Sequence, residues 1–343
     1  MKIVGSERIL FDNFKEEFEE PFQNFNFRKK YFFSSGRGAL KNVAYYLKEN
    51  EYRVLFPDYF CEEMLTPFLD ENVDIKFYKI RNNLSSDTDS LKKEKSKKTA
   101  IFITDYFGFQ DENLLKLSKE KGFLTVRDIT HSLLSRFQFS SSDVVVGSLR
   151  KMFPVPDGGV LFTDLKNFKK FRKSSDEGYY IGKIVSKLYR EIFENYGYEK
   201  DFFEKMYVYH SHKSEKEIGD IPKNISRFSL NFLKIYDIKR ASQKRKENFN
   251  FLLNDDFVNE KAIFKNLPED VVPQSFPIKI ENRDFVKSEI QKYKIFLPIL
   301  WRCQNKLSEK ILNIPVDEEY SKKDLKRTIE KIKLVIGSKN EYK

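Results

Sequence analysis

The sequence predicts an α/β fold: a large three-layer domain with a mostly parallel sheet, followed by a smaller C-terminal α+β domain. Three observations carry this. Short, uniformly apolar segments alternate with segments of helical periodicity through the first half of the chain, which is the pattern of strands buried on both faces beneath helices. Beyond Asp164 the pattern changes to long charged and aromatic stretches. The chain is 343 residues long and 40% hydrophobic, enough for one large core and a second lobe.

The elements follow in order. Apolar residues recur with helical spacing from Gly38 to Glu49, and Arg53 to Phe56 is a short strand ended by Pro57 and Asp58. Cys61 to Leu69 reads as helix, Val73 to Ile80 and Thr99 to Ile103 as strands, and Glu112 to Lys119 as helix. Leu124 to Val126, Val144 to Val146 and Val160 to Phe162 complete the apolar strands, and ligands of such sheets bind at the carboxyl ends of strands. The segments Phe168 to His212 and Ser229 to Leu253 fit helices. Pro273 to Ile280 then reads as strand, Arg283 to Lys292 as helix, Ile295 to Trp301 as extended and Lys322 to Val335 as a closing helix. The expected division is a large domain over 1–250 and a small one over 251–343.

Composition narrows the function classes. Met1 to Phe14 contain no apolar run of signal-peptide length and no later stretch approaches a membrane span, so a cytoplasmic protein without a membrane partner is expected. Cys61 and Cys303 form no C-x-x-C pair and no Cys/His cluster, which suggests half-buried free thiols and no metal site. The net charge of +11 comes from dispersed lysines rather than one basic stripe, so an anionic small substrate is expected and nucleic acid is not.

Four segments stand at strand ends. In S-S-G-R-G-A-L, Ser34 to Leu40, a glycine-rich turn opens a helix whose amides at Gly36, Arg37 and Gly38 favour a phosphate; taken alone, the motif reads better as an ordinary turn capped by Ser35. In R-D-I-T-H-S, Arg127 to Ser132, Asp128 is placed to pair with a buried cationic ring nitrogen and His131 to point into the same site, although Asp128 alone also reads as a helix cap. In G-S-L-R-K-M-F-P-V-P-D-G-G, Gly147 to Gly159, the apolar and proline neighbours of Lys151 offer the desolvation that lets an amine lose its proton and attack an aldehyde, and an ordinary surface lysine is the competing reading. The last group is T-D-Y-F-G-F, Thr104 to Phe109, with Pro57 to Cys61. There Tyr59, Phe60 or Tyr106 can cover a planar ring, and core packing is the competing role.

Taken in order, these segments resemble the DegT family of sugar aminotransferases, pyridoxal 5'-phosphate (PLP) enzymes of fold type I. The match runs through Gly36 to Leu40, Leu55 to Tyr59, Asp105 to Gly108, Asp128 to His131, and Ser148 to Lys151 before Gly158 and Gly159. Pro277 to Asp284, Ile295 to Trp301 and Ile311 to Asp317 look like the small domain of the S-L-R-K branch. The resemblance implies that Lys151 holds PLP as a Schiff base, that Asp128 pairs with the pyridine nitrogen, and that His131 lies near the ring hydroxyl. Gly36, Arg37, Gly38 and Ser148 would surround the phosphate, with Tyr59 on the cofactor.

The activity so implied is transfer of an amino group from glutamate to a nucleotide-linked keto sugar, for surface-polysaccharide or glycan biosynthesis, by a homodimer. Three departures from the family pattern stand out. Arg127 replaces the usual Glu before the aspartate, the serine lies closer to the lysine, and Asn224 and Arg227 miss the N-x-R spacing by one. The alternatives are a dehydration or other PLP reaction on a nucleotide sugar, against which Lys151 argues, and a non-catalytic or regulatory protein on the same scaffold.

Overall fold

The computed structural model describes residues 22, 25–95, 97–137, 139–168, 175–195, 199–217, 222–301 and 303–340. Met1 to Phe14, and the parts of the Phe168 to His212 segment at 169–174 and 196–198, lie outside them.

The large domain begins with β1 (Lys29–Phe33), α1 (Gly36–Glu49), β2 (Arg53–Pro57), α2 (Glu62–Asp70) and β3 (Ile75–Tyr78). It continues through α3 (Thr88–Leu91), β4 (Thr99–Thr104), α4 (Glu112–Lys121), β5 (Leu124–Asp128), β6 (Val144–Ser148) and β7 (Gly159–Thr163). Together the strands form one seven-stranded sheet in the order β1-β7-β6-β5-β4-β2-β3. Neighbours pair in parallel from β3 to β6; β7 alone runs against the rest, antiparallel to both β6 and β1.

Alternation along the strands explains the layers. Val54, Phe56, Phe102, Val144 and Val146 pack with Val43, Ala44 and Leu47 of α1 on one face. Leu55, Ile101 and Ile103 pack with Leu114 and Leu117 of α4 on the other. Both faces are covered, so both side-chain sets of a strand are apolar, and all six residues of β4 are buried.

The remaining helices are α5 (Glu177–Asn195), α6 (Lys200–Lys216), α7 (Arg227–Ile235) and α8 (Ile238–Leu253). The segment Ser229 to Leu253, expected to be helical, thus holds most of α7 and all of α8. Asp237 stops the continuation by capping α8, its carboxylate accepting from the Arg240 amide at 2.9 Å. Phe249 and Leu252 of α8 enter a second core with α9 (Asp256–Lys261), β8 (Ser275–Lys279), α10 (Arg283–Gln291), β9 (Ile311–Pro315) and α11 (Lys322–Asn340). Strands β8 and β9 form a separate antiparallel pair. Of Ile295 to Trp301, expected to be extended, residues 296–301 lie outside any strand and run beside β9, where the amide and side chain of Asn313 donate to the Pro298 carbonyl at 3.3 and 3.0 Å.

One close approach fixes α1 on the sheet. A Cβ at Gly159 would lie 2.1 Å from the Ser35 carbonyl oxygen, so the helix start and the β7 start touch through backbone. Gly159→Ala should cost at least about 3 kcal/mol in a denaturant melt, because backbone cannot give way as a side chain does. Gly122→Ala is the control: it meets open space at φ +66 and should cost only about 1 kcal/mol. Equal losses at the two positions would contradict the contact.

Candidate active site

The sheet ends bring together most of the residues singled out from the sequence. Strand β4 delivers Thr104 and then Asp105, β5 ends on Asp128, and β6 ends on Ser148, followed by a single 3-10 turn from Leu149 to Lys151. Thr104 and Asp128 are register partners, as are Ser148 and Gly159.

Arg127 and Asp128 are sequence neighbours on a strand, so their side chains take opposite faces. Arg127 is fully buried, its Nε donating to both carboxylate oxygens of Asp105 at 2.9 and 3.1 Å. Its Nη2 donates to Gln110 Oε1 at 3.0 Å, and its guanidinium lies 5.3 Å from the Phe137 ring and 5.0 Å from that of Phe139. Ser132 Oγ also donates to Asp105, at 2.5 Å. Burial still holds the Asp105 carboxyl above its ordinary pKa, with Arg127 opposing the shift.

Asp128 is 5% exposed and has no ion-pair partner among the described residues. It accepts from the Thr130 amide at 2.9 Å. Burial is the main cause that pushes its pKa up to about 6, with the Thr130 bonds opposing and the Asp105 charge adding. A buried carboxylate in this state has unused capacity for a cation.

His131 is 4% exposed and accepts the Phe107 amide on Nδ1 at 3.2 Å. That bond puts the remaining proton on Nε2. Burial and then the charge of Lys151 bring its pKa down to about 3, so the imidazole is neutral. Lys151 itself lies on the exposed side of its turn, whereas residues 152–156 turn inward. The desolvation read from its apolar neighbours is therefore not met in the single chain, because Phe153 and the two prolines pack into the core instead of over the amine.

Gly36 and Ser148 meet directly: a Cβ on Gly36 would sit 3.0 Å from that of Ser148. Ser35 caps α1 through the Gly38 amide at 3.1 Å, and the Arg37 guanidinium turns away to pair with Glu63 on the first turn of α2. The helix start thus keeps its anion-attracting amides beside the end of β6. Tyr59 is fully buried, its ring edge-on to Trp301 and tilted against Tyr106. It presents no open face, and its hydroxyl donates to the Leu300 carbonyl at 3.0 Å.

Asp105, Cys61 and Trp301, which sequence reasoning did not single out, stand beside the candidate residues: Asp105 pairs with Arg127, and Trp301 stacks on His131. Strand-end charges of opposite sign at Asp105 and Arg127 were a readable signal. Cys61 gave none, yet its thiol feels the charges of both Lys151 and Asp128, and burial is what chiefly pushes its pKa up. Both cysteines are free and half-buried. Asn224 bridges Phe33 and Ser175, and Arg227 is exposed at the start of α7. A separate cavity of about 330 Å³, lined by Tyr106, Gln110, Asp111, Phe137 and Phe264 among others, touches neither Lys151, Asp128 nor His131. Among the described residues no helix is long and apolar enough to cross a membrane, and no cluster of His, Cys, Asp and Glu is arranged to hold a metal.

No family model matches the sequence, and no curated protein matches it. Solved structures do match. PseC of Helicobacter pylori, an aminotransferase involved in the biosynthesis of pseudoaminic acid, is 14% identical with a TM-score of 0.66, covering 98% of this chain and 100% of its own. A DegT DnrJ EryC1 StrS aminotransferase from Brucella abortus is 12% identical with a TM-score of 0.61, covering 91% and 87%. NtdA of Bacillus subtilis, solved with bound cofactor PMP, is 12% identical with a TM-score of 0.64, covering 91% and 74%. The chain has the fold of these proteins.

Two predictions follow from the buried charges. Arg127→Leu strands Asp105 and should cost about 3–5 kcal/mol in a denaturant melt, and adding Asp105→Leu should recover most of it; a strictly additive double variant would show that the pair is not coupled. For Asp128 the folded-state pKa near 6 exceeds the ordinary 3.8, so the folded protein binds the proton more tightly than the unfolded chain. Stability therefore falls as pH rises through that window, and the penalty is complete above it. Asp128→Asn should melt higher than the unliganded wild type at neutral pH, by on the order of 2–3 kcal/mol, and no higher once the pH is below both values. A constant difference across the titration would refute the assignment.

Proposed function

We propose that this chain is a PLP-dependent aminotransferase that transfers an amino group from glutamate to a nucleotide-linked keto sugar, with Lys151 as the covalent anchor. The observation that carries the reading is Asp128: a carboxylate buried at a strand end with no ion pair among the described residues, near the thiol that also senses Lys151. Its environment fits a protonated ring nitrogen. The start of α1, packed against Ser148 through Gly36, brings its backbone amides beside the serine hydroxyl, an arrangement that fits a phosphate. The aminotransferase and PMP-bound structures that share the fold support the same assignment.

The cofactor, when bound, supplies an electron sink for the carbanion of the amino donor. Asp128 holds the proton on the ring nitrogen. Lys151 would hold the cofactor covalently, and its amine would take the proton from the donor α-carbon as general base and pass it on as general acid. His131 keeps Nδ1 committed to the Phe107 amide and so offers Nε2–H as a donor. The net charge of +11 favours an anionic nucleotide-linked substrate. A homodimer fits the exposure of Lys151 in the single chain, which a second subunit and the cofactor would cover.

The test is direct. Wild-type protein incubated with PLP and then borohydride should carry a pyridoxyl mass on Lys151, and should aminate a member of a panel of keto-sugar nucleotides from glutamate. Lys151→Ala should carry no such mass and should lose at least about 10³-fold in rate. Turnover at the wild-type rate in that variant would exclude the proposed chemistry.

A further inference from the structure

One segment of the C-terminal lobe is pinned to the strand ends on both sides of its tip. Tyr59 Oη donates to the Leu300 carbonyl at 3.0 Å, and Asn305 Nδ2 donates to Asp58 Oδ1 and the Ile80 carbonyl at 2.8 and 3.1 Å. Between the two pins stands Trp301, the one tryptophan of the chain. Its φ is 66°, a left-handed conformation that a bulky side chain adopts only where the surroundings impose it.

The indole lies parallel to the imidazole of His131, with an interplanar angle of 6° and centroids 5.5 Å apart. Tyr59 and Tyr106 meet it edge-on at 5.1 and 5.7 Å. Trp301 is half-buried whereas His131 beneath it is 4% exposed, so the indole covers the imidazole and keeps part of its own surface open.

We propose that Trp301 is a positioning residue for the cofactor pocket: it covers His131, fixes the plane of the imidazole, and forms the aromatic wall that the C-terminal lobe contributes. The covering of His131 stands on geometry alone. The part that concerns the cofactor rests on the reading of the site as a PLP site. The strain at residue 301 acquires a purpose on this account, because relaxed backbone would swing the ring off His131.

Diethyl pyrocarbonate labelling followed by mass spectrometry tests the covering without any cofactor, with the exposed His212 on α6 as internal reference. Trp301→Ala should raise labelling of His131 by on the order of tenfold and leave His212 unchanged, and Trp301→Phe should restore protection. If the alanine variant fails to fold, Trp301→Leu against Trp301→Phe makes the same comparison. The single-tryptophan emission tests the second part: PLP added to wild type should quench it, and Lys151→Ala should abolish the quenching. Equal His131 labelling in all variants, or PLP bound with emission unchanged, overturns the assignment of Trp301. Failure of wild type to take up PLP while the labelling contrast persists instead overturns the functional reading and confines Trp301 to covering His131.

Discussion

The burial of Asp128, with no ion pair among the described residues, is the constraint around which the strand ends are organised. An arginine stands next to it in sequence, and an arginine beside a carboxylate ordinarily pairs with it. Strand alternation sends the two to opposite faces, and Asp105 on the neighbouring strand takes the guanidinium. Gln110, Ser132 and the rings of Phe137 and Phe139 complete the enclosure. The departure at Arg127 is thus locally compensated, and it leaves Asp128 with its capacity intact.

The helix start, the lysine turn and the imidazole are then arranged about that carboxylate by three different means. Backbone contact between Ser35 and Gly159 sets α1, the pairing of Ser148 with Gly159 sets the lysine turn, and the Phe107 amide sets His131. None depends on a flexible side chain. Arg37, which is flexible, is tied to Glu63 and contributes through its backbone position.

Much of this was legible in the sequence because the signals were local. Uniformly apolar runs such as Thr99 to Ile103 marked strands buried on both faces, and the turns at Gly36 and Lys151 fell where strands end. What stayed hidden was long-range. Lys29 to Phe33 is an edge strand whose partners lie in β7, so no neighbouring alternation announced it. Ile311 to Pro315 was noticed only as a short motif, and its pairing with β8 is a tertiary event. Tyr59 was read as a stacking platform because aromatic side chains offer faces, whereas its hydroxyl draws it inward to Leu300. The exposure of Lys151 depends on which way a single turn faces, and composition does not encode that.

The reversed direction of β7 bears on the order in which the protein assembles itself. Because β6 and β7 are antiparallel and adjacent in the chain, residues 149–158 close a local loop, and the lysine-bearing turn can form with little loss of chain entropy. Strand β1 must find β7 across most of the domain, and the α1 start arrives with it. Such distant pairings are the slow part of acquiring a fold. The turn that carries Lys151 can therefore form before the start of α1 is in place, and in a newly made chain the two meet only when the first strand has docked.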